Sequence, residues 1–216
     1  PPVGSSGAIK ALTNNQLDLA VTGRPLKKEE EATGLTQVWL GRSPFLFVVQ
    51  HAAPVIQTTL AQLSEIYAGR QKSWPDGARI RVILRPVADA DSTILANISP
   101  AMKEALTEAH ARRQPGSALA DTDVDLADMV ERVPGGLGTL ALPLILAEKR
   151  PLKGLILDGV EPTVAAMESN RYPYVKPAYL VIRADASPAV RALVEFLRSA
   201  EGQARLLQVG ISSVQR

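Results

Sequence analysis

The stretch Gly4-Ser-Ser-Gly-Ala-Ile-Lys-Ala-Leu12 passes through Asn14-Asn15 into Leu17-Asp-Leu-Ala-Val-Thr-Gly23, and it decides the fold class. Ile9 and Leu12 stand three apart, so 8–13 is predicted as a short helix with the asparagines as its stop. LDLAVTG then reads as a brief buried strand. A helix delivering an apolar strand is the unit of an α/β protein, and the rest of the chain repeats it. The GSSG run itself leaves two roles open. Serine and glycine are ordinary helix caps. Exposed N–H groups at a helix start, with hydroxyls beside them, can also hold an anion.

Working outward, 25–31 is polar and charged and reads as a surface turn. TQVWL and FLFVVQ (45–50) read as two strands bounded by Pro44 and Pro54. TTLAQLSEIYAG (58–69) is a helix capped by Thr58 or Thr59 and closed by Gly69. RIRVILRPV (79–87) is predicted as a strand, with helices at 92–98, 100–113 and 124–133. LGTLAL, KGLILDGV and YLVIR (179–183) follow as strands. The segment from Ser187 to Gly210 reads as one long helical region, with Pro188 in its first turn. Alternating strands and helices predict α/β architecture with mostly parallel sheets.

Composition removes several function classes. Cysteine is absent, which excludes disulfides, thiolate metal sites and cysteine nucleophiles. Two histidines, His51 and His110, lie far apart and outside any motif, leaving little for a metal site or a Ser-His-Asp triad. Aromatics at 4% do not supply the stacking platform of a single-strand nucleic-acid binder, and the net charge of +2 includes no dense basic tract. No apolar run reaches the ~20 residues of a membrane span. The start PPVGSSG has neither a basic region nor an apolar signal core, and reads as a fragment or processed form.

Ligands of open α/β sheets bind where strands feed helix starts. Two loops have that form: GSSG, with Ser5, Ser6 and Gly7, and the loop Arg85-Pro-Val-Ala-Asp89-Ala90-Asp91-Ser92. One helix end contributes only about 0.3–1 kcal/mol to an anion, whereas a micromolar site needs about 8. Charge-assisted hydrogen bonds of ~1.5–3 kcal/mol each must therefore converge from both loops. Asp89 and Asp91 complicate an anion site. One can cap the next helix, a role that falls first to Asp91; one can pair with Arg85; or one can accept a hydrogen bond from a protonated oxyanion. DTDVD (121–125) lacks the glycine and closing glutamate of a calcium loop and reads as a polar helix start. Arg24 and Arg42 each follow a glycine at a strand edge and can line a cleft, with Thr22 and Gly23.

The order of motifs resembles the phosphate-binding substrate-binding proteins of bacterial ABC transporters, in the type II periplasmic binding protein superfamily. GSSGAIKAL with LDLAVTGRPL, LAQLSEIYAGRQKSWPDG, VERVPGGLGTLAL, LDGVEPTVAAMESNRYPYVKPAYLVIR and FLRSAEGQARLLQVG carry the resemblance in the family's order. It implies a two-lobed protein whose lobes are mostly parallel sheets flanked by helices: lobe 1 from 1–50 plus 175–216, lobe 2 from 51–174. It implies non-covalent capture of phosphate or a related oxyanion, without turnover or cofactor. It also implies an exported, periplasmic monomer that delivers to a membrane permease. Ser5 matches the family's binding serine and Arg85 its binding arginine. The family's Ser-Gly-Thr falls on Asp89-Ala90-Asp91, and its binding aspartate falls near Gly23. The family's first strand, loop and helix have no counterpart before GSSG. A phosphate-ester hydrolase using the same cleft, or a sensory or interaction module with a degraded anion site, are the alternative readings.

Overall fold

A computed structural model describes residues 3–113 and 119–214. Helix α1 (Gly4–Thr13) packs its Ala8, Ile9 and Leu12 face onto strand β1 (Leu19–Thr22), so the opening helix–strand unit forms as the periodicity requires. The charged turn after it contains one turn of helix, α2 (Lys28–Glu31), beneath which Leu26 is buried. TQVWL and FLFVVQ are not two strands but one, β2 (Leu35–Gln50). Pro44 does not interrupt it because β2 changes partners there: pairing with β8 (Val175–Arg183) ends at Pro44↔Val175, and pairing with β5 (Gly136–Ala141) begins at Phe45↔Ala141. A residue without an N–H is tolerated where one ladder stops and the next starts.

After β3 (Gln57–Thr58), helix α3 (Leu60–Tyr67) starts on Thr59, whose hydroxyl accepts from the Gln62 N–H at 3.1 Å. The strand expected over 79–87 contracts to β4 (Arg81–Val82), because the chain turns through Arg85-Pro86 toward α4 (Ala90–Ala96). Helices α5 (Pro100–Ala111) and α6 (Asp123–Arg132) follow, then β5 and α7 (Leu142–Glu148). Short strands β6 (Leu152–Gly154) and β7 (Ile156–Leu157) precede α8 (Val164–Glu168) and β8. The C-terminal helical region divides at Ser199 into α9 (Pro188–Arg198) and α10 (Ala200–Gln208). No helix among the described residues is long and apolar enough to cross a membrane.

The α/β class holds, but mostly parallel sheets do not. The main sheet runs β1-β8-β2-β5-β4, with β6 also on β2, and β3 pairs with β7 in a second sheet. Only β4–β5 and β3–β7 are parallel among the described pairs; β1–β8, β2–β8, β2–β5 and β2–β6 are antiparallel. The balance is set by the two long strands: β2 pairs antiparallel with β8, β5 and β6, and β8 pairs antiparallel with β1. Among the described residues the apolar core forms four clusters. Two draw on 8–40 and 180–194, two on 45–172. Strands β2 and β8 pass between these two parts of the chain.

Candidate functional site

A cavity of about 360 Å³ is lined from both parts. The start of α1 contributes Ser5, and the end of β1 contributes Thr22 and Gly23. From the other side come Arg85, Asp89 and Ala90, with Thr122 and Asp123 at the start of α6. Lys176 and Ser43 enter from β8 and β2.

GSSG does not cap α1; it is the first turn. Val3 takes the cap position and offers no side-chain acceptor, so the first-turn N–H groups lack the usual capping partner. Ser5 Oγ accepts from the Gly23 N–H at 3.0 Å, which ties the helix start to the end of β1 and leaves the hydroxyl proton available to a ligand. Ser6 points elsewhere. Its Oγ accepts from Arg24 Nη2 at 3.2 Å, and Arg24 is clamped by Glu30 through bonds of 2.7 and 2.8 Å. Ser6, Gly7 and Arg24 therefore lie outside the cavity lining, as do Arg42 and Ser92. Ser92 instead supports the second loop, its Oγ 3.4 Å from the Arg85 carbonyl.

Arg85 is 5% exposed and forms a two-pronged pair with Asp89, Nε to Oδ1 at 3.1 Å and Nη2 to Oδ2 at 2.8 Å. Asp123 Oδ1 lies 3.5 Å from the same Nη2. Nη1 is buried with no hydrogen-bond partner among the described residues. A donor left this way costs about 1–3 kcal/mol. Burial works to lower the guanidinium's pKa, but the bond and charge of Asp89, with the charges of Asp123 and Asp91, outweigh it.

The helix cap expected of Asp91 belongs to Asp89, whose Oδ1 accepts from the Asp91 N–H at 2.9 Å. Asp91 itself is inside α4, 1% exposed, with Oδ1 2.5 Å from Lys176 Nζ. Lys176 also reaches Asp123 Oδ2 at 2.8 Å. Gly23 makes room for it: a Cβ there would stand 2.7 Å from Lys176 Cε. Burial pushes the Asp91 carboxyl up to about 6 against the pull of Lys176. Burial also opposes the Lys176 charge, yet Asp91 and Asp123 hold its pKa above the ordinary lysine range. Asp123 is pulled below the usual carboxylate range, since Lys176 and Arg85 overcome its burial.

Two cations thus face three carboxylates in one cluster. Among the described residues no set of His, Cys, Asp and Glu side chains is arranged to hold a metal ion. Sequence reasoning found Ser5, Thr22, Gly23, Arg85, Asp89 and Ala90 of this lining and missed Lys176 and Asp123. A signal for Lys176 existed: it is the single charged residue before Arg183 in the apolar run VKPAYLVIR. Asp123 was visible only as the polar start of a helix.

A family model described as PBP superfamily domain matches residues 1–201. The chain is 23% identical over 210 residues to the phosphate-binding protein PstS of Borreliella burgdorferi, covering 93% of this chain and 74% of that protein. Its fold is similar to a phosphate ABC-transporter substrate-binding protein from Clostridium perfringens with bound phosphate. There the TM-score is 0.78 at 21% identity, over 99% of this chain and 86% of the other. A phosphate-binding protein from Stenotrophomonas maltophilia gives 0.72 at 14% identity, over 99% and 83%.

Proposed function

Because the chain belongs to the PBP superfamily domain family, we propose that it captures a tetrahedral oxyanion, of the phosphate type, in this cavity and releases it unchanged to a membrane permease. The observation that carries the reading is the convergence of Ser5 with buried Arg85 and Lys176 on one cavity, with Arg85 Nη1 unpartnered. The relatives' names, phosphate-binding proteins of ABC transporters, support the same reading. Lobe 1 is then 1–50 with 175–216 and lobe 2 is 51–174, although the core clusters draw Phe45–Val49 at the end of β2 into the lobe 2 side. Strands β2 and β8 serve as the hinge. The protein acts as an exported monomer.

Binding proceeds by exchange of partners. An entering oxygen takes the Nη1 donor of Arg85 and shares its Nη2 with Asp89, displacing Asp123 from its 3.5 Å contact. The Ser5 hydroxyl and the uncapped N–H groups of α1 bind a second oxygen from lobe 1. Three or four charge-assisted bonds of ~1.5–3 kcal/mol reach the ~8 kcal/mol of a micromolar site. Carboxylates near the anion oppose it by ~1–4 kcal/mol each, so Asp89 and Asp123 must remain paired with Arg85 and Lys176. A hydrolase needs a base beside its nucleophile; neither histidine lines the cavity, and its carboxylates Asp89 and Asp123 are paired with Arg85 and Lys176.

Thermal unfolding with and without 5 mM phosphate, in wild type and Arg85→Met, tests the reading. Phosphate is expected to raise the midpoint of the wild type and leave that of the variant unmoved. Equal shifts in both proteins would exclude Arg85 as the anion's partner.

A further inference from the structure

Asp91 is the one acid of the charged cluster that does not line the cavity, yet the cation it holds does. Its side chain is 0% exposed, and Lys176 Nζ stands 2.5 Å from its Oδ1. Its Oδ2 is buried with no hydrogen-bond partner among the described residues. Charged and titratable groups face it from every side. Lys176 comes from β8, Asp123 from the start of α6, and Asp89 from the cap of α4 with Arg85 beside it. The Tyr67 phenol comes from α3, and burial with the Asp91 charge keeps it protonated.

The three acids are not held equally. Asp89 has both prongs of Arg85 and the Asp91 N–H. Asp123 has Lys176 at 2.8 Å and Arg85 at 3.5 Å. Among the described residues Asp91 is ion-paired with Lys176 alone, and it shares that ammonium with Asp123. Solvent helps it least as well: the side chains of Asp89 and Asp123 are 13% and 33% exposed, that of Asp91 0%. Three carboxylates on two cations leave one negative charge uncompensated, and burial with a single shared cation makes Asp91 the acid to be neutralised.

An anion that meets Arg85 and Lys176 adds negative charge one side chain away from Asp91. It also draws on the ammonium that Asp91 depends on. Both effects favour the protonated carboxyl. We infer that oxyanion capture is coupled to proton uptake: Asp91 takes a proton from solvent as the anion engages Lys176 and Arg85, and returns it as the anion leaves. This rests on the oxyanion reading above. Linkage is reciprocal, so the anion binds more tightly as pH falls through the range in which Asp91 titrates. The free carboxyl titrates at about 6, which sets that range just below neutrality. If the bound anion raises its proton affinity about tenfold, affinity rises roughly fivefold or more from pH 8 to 5.5 through Asp91 alone.

Titration calorimetry with phosphate, and with sulfate, whose charge is constant over the range, tests it. Wild type and Asp91→Asn are compared from pH 5.5 to 8, in two buffers of different ionisation heat. The anion's own titration is common to both proteins, so their difference reports Asp91. At pH 6.5 the wild type should take up about half a proton more per bound anion than the variant. The ratio of its affinity to the variant's should rise at least fivefold from pH 8 to 5.5. Equal proton uptake with a constant ratio would overturn this inference and leave the oxyanion reading standing. Heat from neither anion would overturn both. Infrared difference spectra of the wild type at pH 6.5 need no variant. The anion should bring up the carbonyl band of a protonated carboxylic acid, and binding without that band would overturn the coupling.

Discussion

Lys176 reaches out of β8 past Gly23 to set its ammonium between Asp91 and Asp123. Removing one partner of such a buried cluster leaves uncompensated charge, at a cost of about 3–5 kcal/mol. Lys176→Met is therefore expected to lower the unfolding free energy by that amount in urea at pH 7; a loss below 1 kcal/mol would contradict the cluster. Asp91 carries the pH dependence. Its folded pKa of about 6 lies above the ordinary 3.8, so between those values the folded chain keeps a proton the unfolded chain has lost. Stability from this group is thus full at the acidic end of the window and falls as pH rises through 6. Urea unfolding of wild type against Asp91→Asn between pH 4 and 7 should show that fall only in the wild type. At this scale the sequence was half legible. Ser5 and Arg85 stand at strand-to-helix loops and announce themselves, whereas the Asp91 bridge depends on a lysine 85 positions away (176 − 91).

Between α9 and α10 the backbone turns at Ser199, which ends one helix and caps the next through the Gly202 N–H at 3.2 Å. The turn packs the start of α10 onto the end of α9 so closely that a Cβ on residue 202 would stand within clashing distance of the Phe196 carbonyl. Gly202→Ala should cost about 1–3 kcal/mol or more despite alanine's better helix propensity, read as a lower urea midpoint. A stabilised variant would mean the two helices merge. The continuous apolar period of 188–210 conceals this break, because a serine in a helical pattern is ambiguous until glycine's close approach is known. The reverse happened at Pro44. A proline in an apolar run reads as a strand end, yet β2 continues through it because the N–H it lacks falls where β2 changes partners.

At the scale of the molecule, β2 and β8 join the two groups of core clusters while the cavity draws its lining from both. A ligand held by Ser5 on one side and Arg85 on the other favours the closed arrangement by the difference in its contacts. Small-angle scattering should record a smaller radius of gyration in saturating ligand, and no change in Arg85→Met. The α/β class and the family were readable from the order of local motifs. The antiparallel pairing of β2 with β8 was not, since Trp39 and Tyr179 meet across most of the chain and no local pattern encodes their direction. The account stands or falls on oxyanion capture. Titration calorimetry of the protein with phosphate, sulfate and a phosphonate, at pH 7, measures it directly. A saturable one-site heat from at least one of them is predicted, and its absence with all would contradict the account.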